Sequence, residues 1–519
     1  MRPRPTRTTV LLACALTAFA AIAGGCKVTG EDIETWKGTV KGPGKIIAVM
    51  MSESYPLDLR TKAALALVEM EPRQSPEVVD GVAELQSALQ RLDDATRRQI
   101  IEGMVPDLEV LMRGGDAAPV QSGEAPPDLQ VRAKDASYLL ISQAEGESRD
   151  RLVAGVVAWY VVDFNGRNLA GNYSAEQIIR SLGSQAAGML VDALDPKMPG
   201  RALIMLTELI SQLGEEETKA RAATAIVELE QHMEGEEFLE WLKEPVIAAL
   251  RETNPDAEPN ADRVGRLATL NRENFITTGA IPAMKYLASE DIVRERLLTI
   301  AGTDDASAPM VVRRMSALLA LEGNVAEPHL DRLLALALTD GVPPEIQDVA
   351  FARVGDIRST RAIPAMWPLV ELGDNDKQRY RWRAAEMVLQ IGGGDVVGEF
   401  FAKLPEGDEV KYEPEELEGY ATRMAHMSPL PTQVVRGQLS SPQWFDRVIA
   451  LRYFERKGEE GDIRAMQRLT RDQAEVVGNG WEALELGTVG QVAEAAITAL
   501  QERLSSDNAE EATEDAEAE

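Results

Sequence analysis

Side chains able to do covalent or metal chemistry are few in this 519-residue chain: two cysteines and three histidines. Cys26 follows three small residues, Ala23, Gly24 and Gly25, so its thiol sits on backbone that an enzyme can approach closely. Cys14 lies within an apolar stretch. His232, His329 and His426 are far apart in sequence, and none has a second histidine or a cysteine at metal-ligand spacing. His329 follows Pro328 at a helix start and is expected at the surface. With 85 Asp and Glu residues, acidic pairs arise everywhere by chance and none stands out as an acid–base couple. No nucleophile elbow, phosphate loop or dinucleotide fingerprint is present. Lys41-Gly42-Pro43-Gly44-Lys45 lacks a preceding strand and a Lys-Ser/Thr ending, and reads as the start of a helix. No cofactor, metal site or catalytic residue is expected, and the chain is not expected to be an enzyme.

Three arginines recur at one place in a repeating pattern. Arg314, Arg381 and Arg447 each precede an alanine of their helix by three residues. Stacked at equivalent positions, they form either a structural ladder bonded to acids and loop carbonyls or a basic strip that holds an acidic peptide or a glycan phosphate. The ladder is the expected role, and the strip is the candidate binding site. Lys377, Arg379, Tyr380, Arg381, Trp382 and Arg383 form the densest basic-aromatic cluster, but alternate residues of a helix point to nearly opposite sides. Asp163-Phe164-Asn165-Gly166-Arg167-Asn168 breaks the helical rhythm after an unusually apolar run, Leu152 to Val162. A loop on a rigid scaffold is a natural place for binding, so this segment is the preferred candidate for an insertion with a role.

The N-terminus carries Arg2, Arg4 and Arg7, then the apolar stretch Val10 to Ile22, too short for a comfortable membrane span. With Ala23-Gly24-Gly25-Cys26 at its end, it resembles a bacterial lipoprotein signal peptide closed by a lipobox. The resemblance implies that residues 1–25 are removed and that Cys26 becomes the first mature residue and the lipid attachment site. More than one acyl chain is needed for stable anchoring. Lys27, in the position where an Asp signals inner-membrane retention, favours the outer membrane. Removal of the leader leaves Cys26 as the single cysteine, which excludes an intrachain disulfide and a cysteine-built zinc site. The formal net charge is −31, and losing three arginines makes the remainder more acidic still. Such a surface repels nucleic acid, so no nucleic-acid partner is expected.

Low aromatic content and an abundance of Ala, Leu, Val, Ile and Met favour helices over strands. The expected organisation is a signal peptide over 1–25, a tether over 26–42, irregular helical repeats over 43–252, a linker over 253–262, regular helical repeats over 263–504, and an acidic disordered tail over 505–519. Three stretches read as loops, 114–128, 253–262 and 403–414. Ala280-Ile281-Pro282-Ala283-Met284 recurs as Ala362-Ile363-Pro364-Ala365-Met366. A buried-stripe pair four residues apart recurs at Ala317/Leu321, Ala350/Val354, Ala384/Val388, Leu417/Ala421 and Ala450/Phe454, at a period of about 33 residues. Gly323, Gly355, Gly392 and Gly458 are expected to close helices in the left-handed conformation.

Trp382-Arg383-Ala384-Ala385-Glu386-Met387-Val388-Leu389-Gln390-Ile391-Gly392-Gly393 resembles the second helix of HEAT-like repeats, including the shorter form found in phycobilisome lyases. Val312 to Leu321 and Asp58 to Leu67 resemble it too, and Gly355-Asp356-Ile357-Arg358 leading into Ala362-Ile363-Pro364 resembles the turn and first helix. The resemblance implies an all-α fold, an α-solenoid of stacked antiparallel helix pairs. It covers residues 310–500 clearly and 43–300 irregularly.

Taken together, the expected function is a membrane-anchored, cell-envelope protein–protein interaction scaffold that uses the concave face of the solenoid, with a protein partner and a membrane contact through the lipid. The alternatives are a lyase-like HEAT-repeat enzyme and a passive structural spacer. Replacement of Cys26 by Ser is expected to release the protein from membranes as a soluble or unprocessed form, read by fractionation and immunoblot. A processed Cys26→Ser product still held on membranes contradicts the anchor.

Overall fold

The computed structural model describes residues 28–72, 80–114, 126–255, 258–407 and 409–518, with side chains described as far as 506. Ala23, Gly24, Gly25 and Cys26 lie outside the described residues. Among the described residues the chain is all-α, with an isolated bridge between Glu475 and Thr488 in place of any sheet. It forms two compact units that divide at Val293/Arg294.

In the first unit, helices α1 (Gly30–Lys37), α2 (Gly42–Met51), α3 (Leu57–Glu69), α4 (Gly81–Leu89), α5 (Asp94–Arg113), α6 (Asp128–Ile141) and α7 (Gly146–Val162) alternate between two layers. They are followed by α8 (Ala175–Leu182), α9 (Ser184–Asp192), α10 (Gly200–Leu213), α11 (Glu216–Glu234), α12 (Glu236–Thr253) and α13 (Ala261–Phe275). The odd-numbered helices α1, α3, α5, α7, α9 and α11 pack each on the next and make one layer. The other layer runs α2, α4, α6 and, after an interruption, α8 and α10.

In the second unit, α14 (Asp291–Ala301, which begins in the first) leads to α15 (Ala308–Ala320), α16 (Leu330–Leu338), α17 (Pro344–Ile357), α18 (Ile363–Val370) and α19 (Gln378–Gly392). Then come α20 (Val397–Lys403), α21 (Pro414–Ala425), α22 (Thr432–Gln438), α23 (Trp444–Lys457), α24 (Glu460–Met466) and α25 (Val489–Ala518). Helices α15, α17, α19, α21, α23 and α25 stack in order, each covering the one before. The recurring pairs Ala317/Leu321, Ala350/Val354, Ala384/Val388, Leu417/Ala421 and Ala450/Phe454 are all fully buried along this stack. The small residue of each pair lets neighbouring helices approach, and the larger one fills the space beside it.

Several local expectations change. The tether contains α1, because Thr29 and Asp32 form a capping box and Ile33 is fully buried against α3. Helices α12 and α13, on either side of the expected linker, pack on each other, and the unit boundary falls later, within α14. Helix α25 runs through 505–518, where Ala and Glu have high helix propensity. Of the four glycines expected to be left-handed, Gly323 is (φ +71), whereas α17 continues past Gly355 and Arg358 takes the left-handed position at φ 54. Gly393 (φ +57), not Gly392, turns the chain after α19, and Gly458 is extended at φ −70 and ψ 153.

The three arginines are part of this construction. Arg314 is buried, and its Nε donates to the Ala301 carbonyl at 2.9 Å. Arg447 donates to the Ser441 and Pro442 carbonyls at 2.7 and 2.8 Å and pairs with Asp472 at 2.8 Å. Arg381 is fully buried. It makes a forked pair with Glu416, both bonds 2.9 Å, donates to the Lys411 carbonyl at 2.7 Å and lies 4.3 Å from the Tyr412 ring centroid. Tyr420 and Gln378 donate to the same carboxylate at 2.7 and 2.8 Å. The equivalent position on α17 is Gln347, which donates to the Thr339 carbonyl, and on α3 it is Arg60, which donates to the Met50 carbonyl.

At each of these positions a buried donor takes a carbonyl left open at or just beyond the end of the preceding helix, which for Arg381 is the Leu372 carbonyl past α18, at 3.4 Å. A guanidinium suits this role, because the helix C-terminus carries partial negative charge. A binding strip of Arg314, Arg381 and Arg447 therefore does not fit, since all three are buried and turned to backbone carbonyls or carboxylates of their own unit.

Arg381→Met is expected to strand the Glu416 carboxylate in the core and lower unfolding stability by about 3–5 kcal/mol. Urea denaturation measures this, with the exposed Arg379→Gln as the near-neutral control. A loss for Arg381→Met no larger than the control's contradicts the assignment.

Candidate functional site

Three grooves lie side by side on the odd-numbered layer of the first unit. The first, about 630 Å3, is formed by α1, α3 and α5, where Leu57 and Val110 stand exposed. The second, about 550 Å3, lies between α5 and α7, with Gln130 of α6 in its wall. The third, about 700 Å3, lies between α7, α9 and the start of α10, and the segment 163–165 closes one end. The second and third share Ala154, Ala158 and Val162, so α7 is the ridge between them.

From Leu152 to Val162 helix α7 is apolar all round, which marks a helix with packing on more than one side. Its buried line is Leu152, Val153, Val156, Trp159 and Tyr160. Its open line is Ala154, Ala158 and Val162, the last 68% exposed. Apolar residues left open beside grooves mark interaction surfaces.

The segment after α7 is a short helix, Phe164–Arg167, and not a free loop. The Asp163 carboxylate caps it by accepting from the Gly166 N–H at 3.0 Å, and Phe164 is buried. Arg167 donates to the Trp159 carbonyl at 2.7 Å and stacks 4.8 Å from its ring centroid. The chain then crosses 168–174 to fill the gap between α6 and α8.

Lys134 of α6 holds that crossing. It is fully buried, donates to the Ala170 and Tyr173 carbonyls at 2.8 and 3.1 Å, and pairs with Asp135 at 2.6 Å. Asp135 in turn accepts from the Asn172 N–H at 2.9 Å, and Tyr160 donates to the Tyr173 carbonyl at 2.7 Å. Burial pulls the Lys134 ammonium below the ordinary lysine range, against the opposing pull of Asp135. A lysine so enclosed and so fully bonded is a fastener for the loop, and the groove wall beyond it inherits that rigidity.

The other sequence candidates are scattered. His329 is buried and not at the surface; its Nδ1 accepts from the Ala326 N–H at 3.0 Å, which caps the start of the short helix Glu327–His329. His426 Nδ1 lies 2.8 Å from the Thr422 carbonyl within its own helix, and exposed His232 packs edge-on to Phe238. The basic-aromatic cluster divides: Arg379 and Arg383 both pair with Asp348 of α17, while Arg381 turns inward to Glu416. Arg314 borders a separate groove of about 630 Å3 between α14 and α16, beside Arg332, which pairs with Glu295. Among the described residues no group of three His, Cys, Asp or Glu side chains is placed to hold a metal, and no helix is long and apolar enough to cross a membrane.

Nothing in the pattern of loops pointed to the grooves at Leu57/Val110 or around Ala154. The available signal was the apolar run 152–162, with its small residues one helical turn apart.

The sequence matches no family model and no curated protein. Solved structures with a similar fold include Kap121p, 13% identical over 90% of this chain and 46% of that one, with a TM-score of 0.34. They also include the RNA-binding domain of yeast Puf5p bound to AAT2 RNA, 11% identical over 81% of this chain and 95% of that one, with a TM-score of 0.29. Importin beta is 11% identical over 92% of this chain and 64% of that one, with a TM-score of 0.25. The chain thus spans less than half the length of Kap121p. All three TM-scores are below 0.5.

Lys134→Met is expected to leave two carbonyls and the Asp135 carboxylate without their cation and to cost about 3–5 kcal/mol. Hydrogen exchange read alongside urea unfolding is expected to show faster exchange over 168–175. Unchanged protection there contradicts the fastener role.

Proposed function

We propose that this chain is a non-catalytic, lipid-anchored scaffold of the bacterial cell envelope that binds protein through the grooved layer of its first unit. The observation that carries the reading is the continuity of that surface: three adjacent grooves open on one helix layer, with Leu57, Val110 and Val162 exposed along them. A long, ridged, partly apolar surface suits a polypeptide better than it suits a small substrate, which needs a single deep pocket with converging polar groups. In this reading the grooved layer is the concave side of the repeat stack, and the stack belongs to the shorter, phycobilisome-lyase-type form of HEAT-like repeat without the lyase's activity. The acyl group on Cys26 and the sequence around it supply the anchor, and Lys27 favours the outer membrane. The acidic surface leaves nucleic acid out of the set of partners.

In-cell crosslinking, followed by purification of the detergent-extracted protein and mass spectrometry, tests this. One dominant, near-stoichiometric partner is expected, and its recovery is expected to fall about tenfold or more with Val110→Glu plus Ala158→Glu, which charge two groove positions that the core does not use. No partner above background overturns the reading and favours a passive spacer, and a partner whose recovery the double variant leaves unchanged overturns the assignment to these grooves.

A further inference from the structure

We propose that the cavity between α5 and α7 is a receptor for the C-terminal residue of a partner polypeptide, with an apolar last side chain and a free α-carboxylate. This rests on the protein-binding reading above and names what one of its grooves recognises.

The cavity is built by small residues. Ala154, Gly155 and Ala158 hollow the side of α7, and a Cβ on Gly155 would stand 2.6 Å from Met112 Cε, so glycine is what lets Met112 close the floor. Trp159 forms a further wall. The resulting space of about 550 Å3 is more enclosed than the grooves on either side and lies within the usual range for ligand sites.

Charge selects the kind of ligand. The groove at α1, α3 and α5 is lined by Glu34, Asp58, Glu69 and Asp107 against Lys62, and the groove at α7 and α9 by Asp163, Asp192 and Asp195 against Lys197. Between them, the cavity is lined by Arg113, Arg151 and Arg167 against Glu109, in a chain of net charge −31. Arg151 already holds both oxygens of Glu109, at 3.0 and 2.7 Å. Arg113 is 3.7 Å from that same carboxylate, with its side chain 75% exposed and its Nε bonded to the Glu109 carbonyl at 3.2 Å. Its terminal nitrogens therefore remain able to grip a second carboxylate at the mouth.

The wall specifies the rest. Trp159 is 3% exposed and Gln130 5%, and both line the cavity. The indole N–H of Trp159 has no acceptor, and the side-chain carbonyl of Gln130 has no donor, among the described residues. Buried polar groups are rarely left so, and each orphan is a standing cost that a ligand can remove. The pair calls for one acceptor and one donor, which a secondary amide supplies in its C=O and N–H. An apolar body, an amide and a carboxylate together describe the last residue of a polypeptide. A fatty carboxylate meets the apolar wall and Arg113 but has no hydrogen to give Gln130.

Fluorescence anisotropy tests this with the purified, detergent-solubilised chain and a fluorescein-labelled Gly-Ser-Gly-Ser-Leu-Phe peptide. The free acid is expected to bind. The C-terminal amide, a peptide ending in Asp, and the Arg113→Gln variant are each expected to show at least about tenfold weaker binding, and Arg113→Lys a partial rescue. N-acetyl-phenylalanine is expected to compete, and laurate to compete poorly. Arg113 is exposed, so its variants test the site without disturbing the fold. Equal binding of acid and amide, or indifference to Arg113→Gln, overturns the proposal, as does competition by laurate that exceeds N-acetyl-phenylalanine. Absence of peptide binding alongside a cellular partner still lost in Val110→Glu plus Ala158→Glu removes the C-terminus receptor and leaves the scaffold standing. Loss of both results removes both.

Discussion

A helix pair with an apolar stripe along one side has no means of burying that stripe by itself. Here each stripe is covered by the neighbouring pairs, which is why Ala317, Ala350, Ala384, Leu417 and Ala450 are all fully buried at nearly constant spacing. Close stacking has a second consequence. It brings the connections between helices down onto the core, and the carbonyls at helix ends lose their water. Arg60, Arg314, Gln347, Arg381 and Arg447, each three residues before its stripe, supply the missing donors. Where the pattern breaks, at Pro414, the carboxylate of Glu416 stands two residues on and receives Arg381 from the previous helix of the stack. Spacing and capping are thus two results of one constraint, the need to stack.

The same constraint leaves one side of each layer unused for packing against the partner layer. Along α7 the open line is Ala154, Ala158 and Val162, small or apolar where a solvated helix face is usually charged. The grooves on either side follow from that choice of side chains. Lys134 then ties 168–174 to α6, so that Phe164 and Arg167 are held against α7 as a fixed wall. A binding surface on a repeat protein gains from this rigidity, because little order has to be created when the partner arrives.

The stripe was legible in the sequence because burial at i and i+4 leaves a periodic trace, and so were the all-α class and the helix pairs. What escaped depends on geometry that periodicity does not encode. Arg358, not Gly355, takes the left-handed turn after α17, since the helix has apolar reason to run on to Ile357. The stretch 253–262 looks like a domain linker in composition, yet the helices on either side of it, α12 and α13, pack on each other. A one-turn capping box at Thr29 makes a helix of a segment expected to be tether. His329 looked exposed after a proline but serves its own backbone. The three arginines were visible as a register, and only their burial separates ladder from strip. The cavity at Gly155 was hidden because its signature is the absence of bulk within an apolar run.

The central claim is that the odd-numbered layer of the first unit is the face that meets a partner. Site-specific photo-crosslinking in cells, with a photoreactive phenylalanine analogue placed singly at Leu57, Val110, Ala158, Leu319 and Arg379, tests it most directly. The account predicts a common crosslinked product from Leu57, Val110 and Ala158, and none from Leu319 or Arg379 on the second unit. A product confined to Leu319 or Arg379, with the three groove positions silent, contradicts it.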